Sequence, residues 1–418
     1  MLIGIDDTDS KDGMCTTYLA TVLKTALETE LREVVSLYLV RLNPTIRFKT
    51  RGNAAIGIFI KNSYEVKDIV QQHIEKMAHL NHENTNPGVV LFDCEFPPSE
   101  VQAFAREAMR AELQIGQAAE LIDRYGIDFL SYKNGRGLIG ALAAIGAVLE
   151  KDYTYELIAY RYKQNFKKER YIHRGSVYRA DIATYPYTWD TVDRKNETIT
   201  FSPHSPDPVL YGIRGDDPCH ILAAHGKIIS EPFEYLALYK TNQGTDMHIQ
   251  TGRIGDLVEG RSYNVRATVS KEPWTIKGGH TFFQVSDEER VLLCAVFEPT
   301  KQFRAAARRL CVGDAVAVQG SFIKNCFHLE KMQLIELSRR FISSNPVCCN
   351  KSMKSRGKNK GFKCSTCKMI ERRAYAKGIP VVRDIKLGIY EATPSARRHI
   401  TKPLVRTRNL GYNVFPSR

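Results

Sequence analysis

Three aspartates in four positions, Asp6, Asp7 and Asp9, follow directly on the apolar run Leu2-Ile3-Gly4-Ile5. A run so short and so apolar reads as a buried strand, and the acids put a carboxylate-bearing loop at its end. Carboxylates this close repel and raise one another's pKa, so the arrangement is costly unless a cation shares it. Mg²⁺ suits it, because that ion takes one or two carboxylates together with phosphate oxygens. An Asx turn, with Asp9 or Ser10 capping the next helix, is the plainer structural reading. The spacing also fits a phosphohydrolase in which an aspartate attacks phosphorus.

Leu19, Val22, Leu23, Ala26, Leu27 and Leu31 recur at helical spacing, so a helix begins near Thr16 or Thr17. Gly13-Met14-Cys15-Thr16-Thr17 leads into it with amides and hydroxyls placed to cradle an anion. Val35 to Arg41, Ala54 to Ile60 and Val89 to Phe92 read as strands, and Val66 to Met77 as a second amphipathic helix. Lys49, Arg51 and Asn53 fall in a turn between strands, where the two cations would neutralise a triphosphate. The order β-α-β-β-α-β is that of a small α/β or α+β layer structure.

A second α/β unit is expected from Gly126 to Tyr239. It opens on Lys133-Asn134-Gly135-Arg136-Gly137-Leu138-Ile139-Gly140 and an Ala-rich helix to Leu149. Gly135, Arg136 and Gly137 would let backbone amides approach phosphate, although a glycine packing helix against strand looks the same. A strand is expected at Glu156 to Arg161, turns from Tyr178 to Pro208, then a strand from Val209 and a helix.

From Arg261 the texture becomes all-β. Three strands, a helix and two more strands between Tyr263 and Leu337 give the layout of a five-stranded OB barrel. Beyond it the charge changes. The chain has 60 Lys+Arg against 46 Asp+Glu, net +14, yet residues 339–418 alone carry +17 and the rest −3. A near-neutral body with a basic tail is the electrostatic footprint of a nucleic-acid binder. Six of the ten cysteines are scattered singly and read as reduced thiols, but Cys348, Cys349, Cys364 and Cys367 cluster in the tail. Four thiolates so grouped suit a closed tetrahedral Zn²⁺ site, with an adjacent pair in place of the first CxxC. Lys351, Lys354, Arg356, Lys358, Lys360 and Lys363 lie between the two halves, where a ribbon loop would meet phosphates.

An apolar share of 43% and a charged share of 25% exclude a disordered or collagenous chain. The longest uncharged apolar stretch, Leu138 to Leu149, is too short to span a bilayer, and the first residues lack a secretory signal. A cytoplasmic protein without membrane contact is expected. A barrel with a basic ribbon would serve a plain nucleic-acid binder, but that leaves the first 240 or so residues without a task.

Taken in order, Gly4 to Ser10, Gly13 to Thr17, Asn43-Pro44, Lys49 to Asn53, Asn86-Pro87-Gly88 and Gly135 to Gly146 resemble the archaeal family of isoleucine-tRNA 2-agmatinylcytidine synthetases. So do Leu210 to Gly215, Thr245 to His248, Phe297 to Arg304 and Pro394 to His399. The resemblance implies a multidomain α+β chain: an α/β kinase-like domain (1–125), a ferredoxin-like domain (126–245), an OB-fold β-barrel (258–338), and a zinc ribbon with basic tail (343–418). It also implies an ATP-dependent ligase. The 2-oxo group of the wobble cytidine is phosphorylated, agmatine displaces phosphate at carbon 2, AMP and phosphates leave, and the anticodon reads AUA rather than AUG.

ATP, Mg²⁺ and Zn²⁺ are the implied cofactors; the partners are agmatine and the anticodon and acceptor regions of the tRNA. Asp6, Asp7 and Asp9 are the implied catalytic carboxylates, with Asp7 and Asp9 on Mg²⁺, and Thr16 is the threonine that becomes phosphorylated. Lys49, Arg51, Asn53, Gly135, Arg136, Gly137 and Arg214 are expected at phosphate, with Asp216 in the same cleft. Arg397, Arg398 and Lys402 join the ribbon cations as RNA contacts.

Overall fold

The apolar run Leu2–Asp6 forms β1, and the periodic segment after the acids forms α1, Thr16–Leu31. The computed structural model describes residues 1–31, 35–62, 64–358, 360–372, 377–407 and 413–418. Expectations for the tail that fall on 373–376 and 408–412 lie outside the described residues. The first body continues with β2 (Ser36–Arg41), β3 (Ala54–Phe59), α2 (Lys67–Met77), β4 (Gly88–Phe92), α3 (Ser99–Ala108) and α4 (Ile115–Arg124). Then come β5 (Asp128–Ser131), α5 (Gly137–Gly146), β6 (Thr154–Arg161), α6 (Arg174–Thr184) and β7 (Thr188–Trp189). A small hairpin, β8 (Val192–Asp193) and β9 (Thr198–Ile199), precedes β10 (Val209–Gly215), α7 (Pro218–His225) and β11 (Phe233–Thr241).

One nine-stranded sheet, ordered β5-β4-β1-β3-β2-β11-β6-β10-β7, runs through both expected α/β units. The halves are welded by the parallel pair β2–β11, Leu37 facing Tyr239. β5 pairs with β4 and α5 packs on β1, β3 and β4, so both sit on the first half of the sheet. Glycines make that packing close. A Cβ on Gly4 would lie 2.0 Å from the Ala141 carbonyl oxygen, and one on Gly88 2.1 Å from the Leu138 nitrogen. On the other face α1 and α2 bury Tyr18, Leu19, Leu23, Leu27, Val70 and Ile74 with Ile158 and Tyr239 of β6 and β11.

Helices α3 and α4 were not anticipated, although Val101, Phe104, Ala105 and Ala108 have helical spacing and are buried. The turns expected from Tyr178 are corrected: α6 runs to Thr184, its buried face of Val177, Ala180, Asp181 and Thr184 too polar to show a periodic stripe.

The second body starts at β12 (Ile249–Thr251) and contains β13 (Ser262–Thr275), β14 (Thr281–Ser286), β15 (Val291–Val296), α8 (Gln302–Ala307), β16 (Ala315–Ile323) and β17 (Cys326–Glu336). Pairings run β13–β14–β15–β17–β16 and back to β13, closing a ring of five strands. Val265, Phe283, Cys294, Val318 and Met332 fill its core.

The antiparallel pair β18 (Phe341–Ser344) and β24 (Lys377–Pro380) forms a stub. It carries five two-residue strands: β19 (Val347–Cys348), β20 (Lys351–Ser352), β21 (Lys354–Ser355), β22 (Phe362–Lys363) and β23 (Ile370–Glu371). The chain then returns. β25 (Gly388–Glu391) pairs with β17, and β26 (Val414–Phe415) lies parallel to β25. Among the described residues, no helix is long and apolar enough to cross a membrane.

Candidate active site

The carboxyl end of β1, the start of α1, the segment after β2 and the ends of β6 and β10 converge on a cleft of about 340 Å³. Asp6, Asp7, Asp9, Thr16, Lys49, Arg51, Asn53, Arg136 and Arg214, all singled out in the sequence, line it. Gly135 and Gly137 do not. A Cβ on Gly137 would meet the Gly88 nitrogen at 2.3 Å, so this glycine lets helix and strand touch; Gly135, with φ of 72°, makes the turn before α5. Gly52, Gly140 and Gly212 line the cleft instead, and a Cβ on Gly140 would lie 1.8 Å from an Asp6 carboxylate oxygen.

Each acid has its own environment. Burial, reinforced by Asp7, pushes Asp6 well above the usual carboxylate range. Asp7 sits in the left-handed region at φ 57° and accepts the Asn86 backbone N–H at 3.0 Å, yet burial lifts it to about 7. Asp9 is raised by burial against the pull of Arg51, with which it pairs. Among the described residues no ion pair reaches Asp6 or Asp7. Two raised, unpaired carboxylates beside a third are a hard-oxygen donor set fit for Mg²⁺.

Cations face these acids. Arg51 is held between Asp9 and Asp207, 3.7 Å from the latter, and its Nη1 is buried without a hydrogen bond. Glu156 is buried between Arg41 at 3.3 Å and Arg214 at 3.2 Å, which fixes Arg214 at the cleft wall. The Arg136 guanidinium lies 4.0 Å over the exposed Phe48 ring at the rim. Asn53 donates its amide to the Asn43 carbonyl at 2.6 Å, fastening both ends of the loop that bears Phe48, Lys49 and Arg51. Thr16 is 6% exposed, and its hydroxyl accepts from Thr8 at 3.1 Å.

Sequence reasoning missed Arg41, Phe48, Glu156 and Asp207. The signal for Asp207 was an acid between prolines, Pro206-Asp207-Pro208, inside a turn-rich stretch. Asp216, expected in the cleft, pairs instead with Arg406, and Asp217 caps α7 through the Cys219 N–H at 2.6 Å. A phosphohydrolase would also need a later pair of acids, for which Asp216-Asp217 is the candidate, and among the described residues that pair is turned away from the site.

The four clustered cysteines meet: their sulfur atoms lie within 4.8 Å of one another. The contacts of 3.5 Å from Cys348 to Cys367 and 3.9 Å from Cys348 to Cys349 match the roughly 3.8 Å separation that Zn–S bonds of about 2.3 Å impose in a tetrahedron. Neighbouring strand residues point to opposite faces, so an adjacent pair needs a reversal. Cys349 and Asn350 supply it, with φ of 50° and 56° at the centre of a two-residue hairpin between β19 and β20. Lys351, Lys354, Arg356, Lys358, Lys360 and Lys363 are all exposed around this site.

Three family models match: the TiaS TCKD domain at residues 2–65, the TiaS FLD domain at 135–248 and the TiaS C-terminal zinc ribbon domain at 345–385. An isoleucine-tRNA 2-agmatinylcytidine synthetase TiaS of Methanosarcina acetivorans is 46% identical, with both chains fully covered. The chain belongs to the TiaS family.

An Archaeoglobus fulgidus TiaS is 43% identical over 99% of each chain. Among solved structures, a complex of TiaS with isoleucine tRNA and ATP is 42% identical with a TM-score of 0.91. A complex of TiaS with isoleucine tRNA, AMPCPP and agmatine is 40% identical with a TM-score of 0.88, and each alignment covers 99% of both chains.

One expected RNA contact is corrected against this TiaS frame. The Arg397 side chain is 5% exposed and locked between Asp190 and Glu391, so it is a buried strut from the tail to the first body. Lys402 pairs with Asp152 at 3.3 Å, and Arg398 with Glu330 at 3.3 Å, both keeping part of their surface in solvent.

Proposed function

We propose that this chain is an ATP-dependent synthetase that attaches agmatine to carbon 2 of the wobble cytidine of isoleucine tRNA. The observation that carries the reading is the single cleft joining Asp6, Asp7, Asp9 and Thr16 to Lys49, Arg51, Arg136 and Arg214. Phosphoryl transfer asks for positioning and charge neutralisation more than for covalent help, and this residue set offers both.

The carbonyl oxygen of cytosine is a poor leaving group, so it is first esterified. The O2 oxygen attacks the terminal phosphoryl group of ATP, and a P–O bond forms as the bridging P–O bond to that group breaks; water cleaves the other phosphoanhydride, so the nucleotide leaves as AMP with one phosphate. The amine of agmatine then bonds to carbon 2 and loses one proton, and phosphate departs with the former O2. Arg51, Arg136, Arg214 and Lys49 neutralise the phosphates, and Thr16 is the proposed hydroxyl for the phosphorylation that the family resemblance implies. Asp7 and Asp9 would hold Mg²⁺, which supplies further charge neutralisation when bound. The wobble base must leave its stack to enter a cleft between the two sheet halves.

The ring of five strands is read as an OB-type barrel within 258–338, and the sheet halves as kinase-like and ferredoxin-like units, with β5 and α5 of the expected second unit (126–245) lying on the kinase-like half. The exposed cations of the ribbon and tail (343–418), with Arg398 and Lys402, are assigned to the tRNA backbone. Incubation with ATP, Mg²⁺, labelled agmatine and isoleucine-tRNA transcript tests the reading. One agmatine per tRNA at the wobble cytidine is expected; no incorporation where tRNA binds would overturn it.

A further inference from the structure

The first turn of α1 lines the cleft with Thr16 and Thr17, just after Cys15, yet a group that fastens it comes from the far half of the sheet. Tyr239 of β11 donates its hydroxyl to the Thr17 carbonyl at 2.7 Å. The Thr21 hydroxyl, one turn on, reaches the same carbonyl at 2.9 Å and the Tyr239 oxygen at 2.6 Å. Behind them the Tyr160 hydroxyl of β6 lies 3.0 Å from that of Tyr239. With the Tyr239 proton on the carbonyl, Tyr160 is the donor to Tyr239, so the chain runs Tyr160 to Tyr239 to Thr17.

Both tyrosines are fully buried, in one cluster with Tyr18, Leu19 and Ile158. Phenylalanine rings would supply the same apolar packing, and a hydroxyl is costly to bury unless it is bonded. Packing therefore does not account for the two phenols. A buried polar network whose members are satisfied fixes one arrangement of the parts it joins.

What it joins are two walls of the cleft. Tyr239 lies directly opposite Glu156 across the β6–β11 pair, and Tyr160 lies further along β6 at even spacing. Alternation puts all three on one face, and Glu156 there holds Arg41 and Arg214. On the other wall, the turn that Tyr239 grips carries Thr16, whose hydroxyl meets that of Thr8. Cys15 is tied to the same turn, its Sγ 2.9 Å from the Thr17 hydroxyl.

We propose that Tyr239, backed by Tyr160, is a positioning residue: through its hydroxyl, the strands that hold Glu156 and Arg214 set where the first turn of α1 presents Thr16 to the phosphates. The proposal rests on the ATP-dependent reading above and touches neither substrate directly. It makes the clamp of this turn a condition of rate rather than of binding.

The test compares wild type with Tyr239→Phe, Tyr160→Phe and the double variant, at a temperature where all are folded. Single-turnover agmatine incorporation at saturating substrates should fall about tenfold in Tyr239→Phe, with each KM within about twofold, because a displaced group costs rate more than ground-state affinity. Tyr160→Phe, one bond further from the turn, should lose less. The double variant orphans neither phenol, and the Thr17 carbonyl keeps the Thr21 hydroxyl, so it folds even where Tyr239→Phe alone does not. A second readout needs no tRNA. Alkylation of Cys15 by iodoacetamide, followed by peptide mass, should be about threefold faster or more in Tyr239→Phe and in the double variant, with exposed Cys219 unchanged. Incorporation at the wild-type rate in the double variant overturns the proposal, as does a loss carried by KM or a Cys15 reactivity equal to wild type. A wild-type chain that binds tRNA yet adds no agmatine overturns the parent reading instead, and Cys15 reactivity then decides the clamp alone.

Discussion

Asp7 joins a left-handed backbone, two contacts from Asn86 and a carboxyl raised to about 7. Asp7→Asn keeps the shape and removes the charge that a cation would need. Agmatine incorporation per unit time is expected to fall by about 10³-fold, with tRNA affinity within twofold. Glu330 poses a different question, because its role is structural. Burial outweighs the nearby Arg398 and lifts this carboxyl to about 7. The folded chain therefore holds that proton more tightly than the unfolded chain, where a glutamate titrates near about 4.3. The stabilisation is complete below the unfolded value and is lost as pH rises through about 7. Glu330→Gln should match wild type near pH ~4 and exceed it by about 2 kcal/mol at pH ~8, read from denaturation midpoints across pH.

The elements that carry the site were legible where one segment held the whole signal. The apolar run of β1 and the helical-period stripe of α1 could be read because burial repeats along them. Glu156 and Asp207 could not, since each is a lone acid whose arginine partners come from distant strands and loops. Arg397 misled for the same reason: a charge in a basic tail looks exposed until its two buried acids are seen. The glycines were ambiguous between phosphate contact and packing, and packing won at Gly137. Gly4→Ala tests that packing on the strand side. Its Cβ would collide with the Ala141 carbonyl, so a loss of about 3 kcal/mol or more is expected in urea denaturation. The adjacent Cys348–Cys349 pair is explained by its hairpin geometry. One zinc per chain is expected by atomic emission. Cys349→Ser should lower zinc affinity while the far-UV circular dichroism of the nine-stranded sheet persists.

At the scale of the molecule, near-neutral chemistry and basic grip are separate yet tied. Arg397 to Asp190, Arg406 to Asp152 and Asp216, and Arg418 to Asp181 lash the tail across the first body. Cutting the chain at Arg340 would remove β25, β26 and these struts along with the ribbon, so excision of 345–376, which keeps both stub strands and the buried Arg383–Asp314 pair, is the cleaner probe of RNA grip. Changing Lys351, Lys354, Lys358 and Lys360 together to Ala should flatten the salt dependence of tRNA binding by about one unit of log–log slope per lost contact.

The ribbon leaves and re-enters the molecule through neighbouring strands, Phe341–Ser344 and Lys377–Pro380. Its two ends are therefore a strand spacing apart, on the order of 5 Å, whatever lies between them. Such a stub is a socket. Residues can be lost from the head it carries without moving anything the nine-stranded sheet holds. A differently shaped head of any length can be spliced there, so if the ribbon grips RNA as proposed, this joint is the natural place for the choice of tRNA to be rewritten.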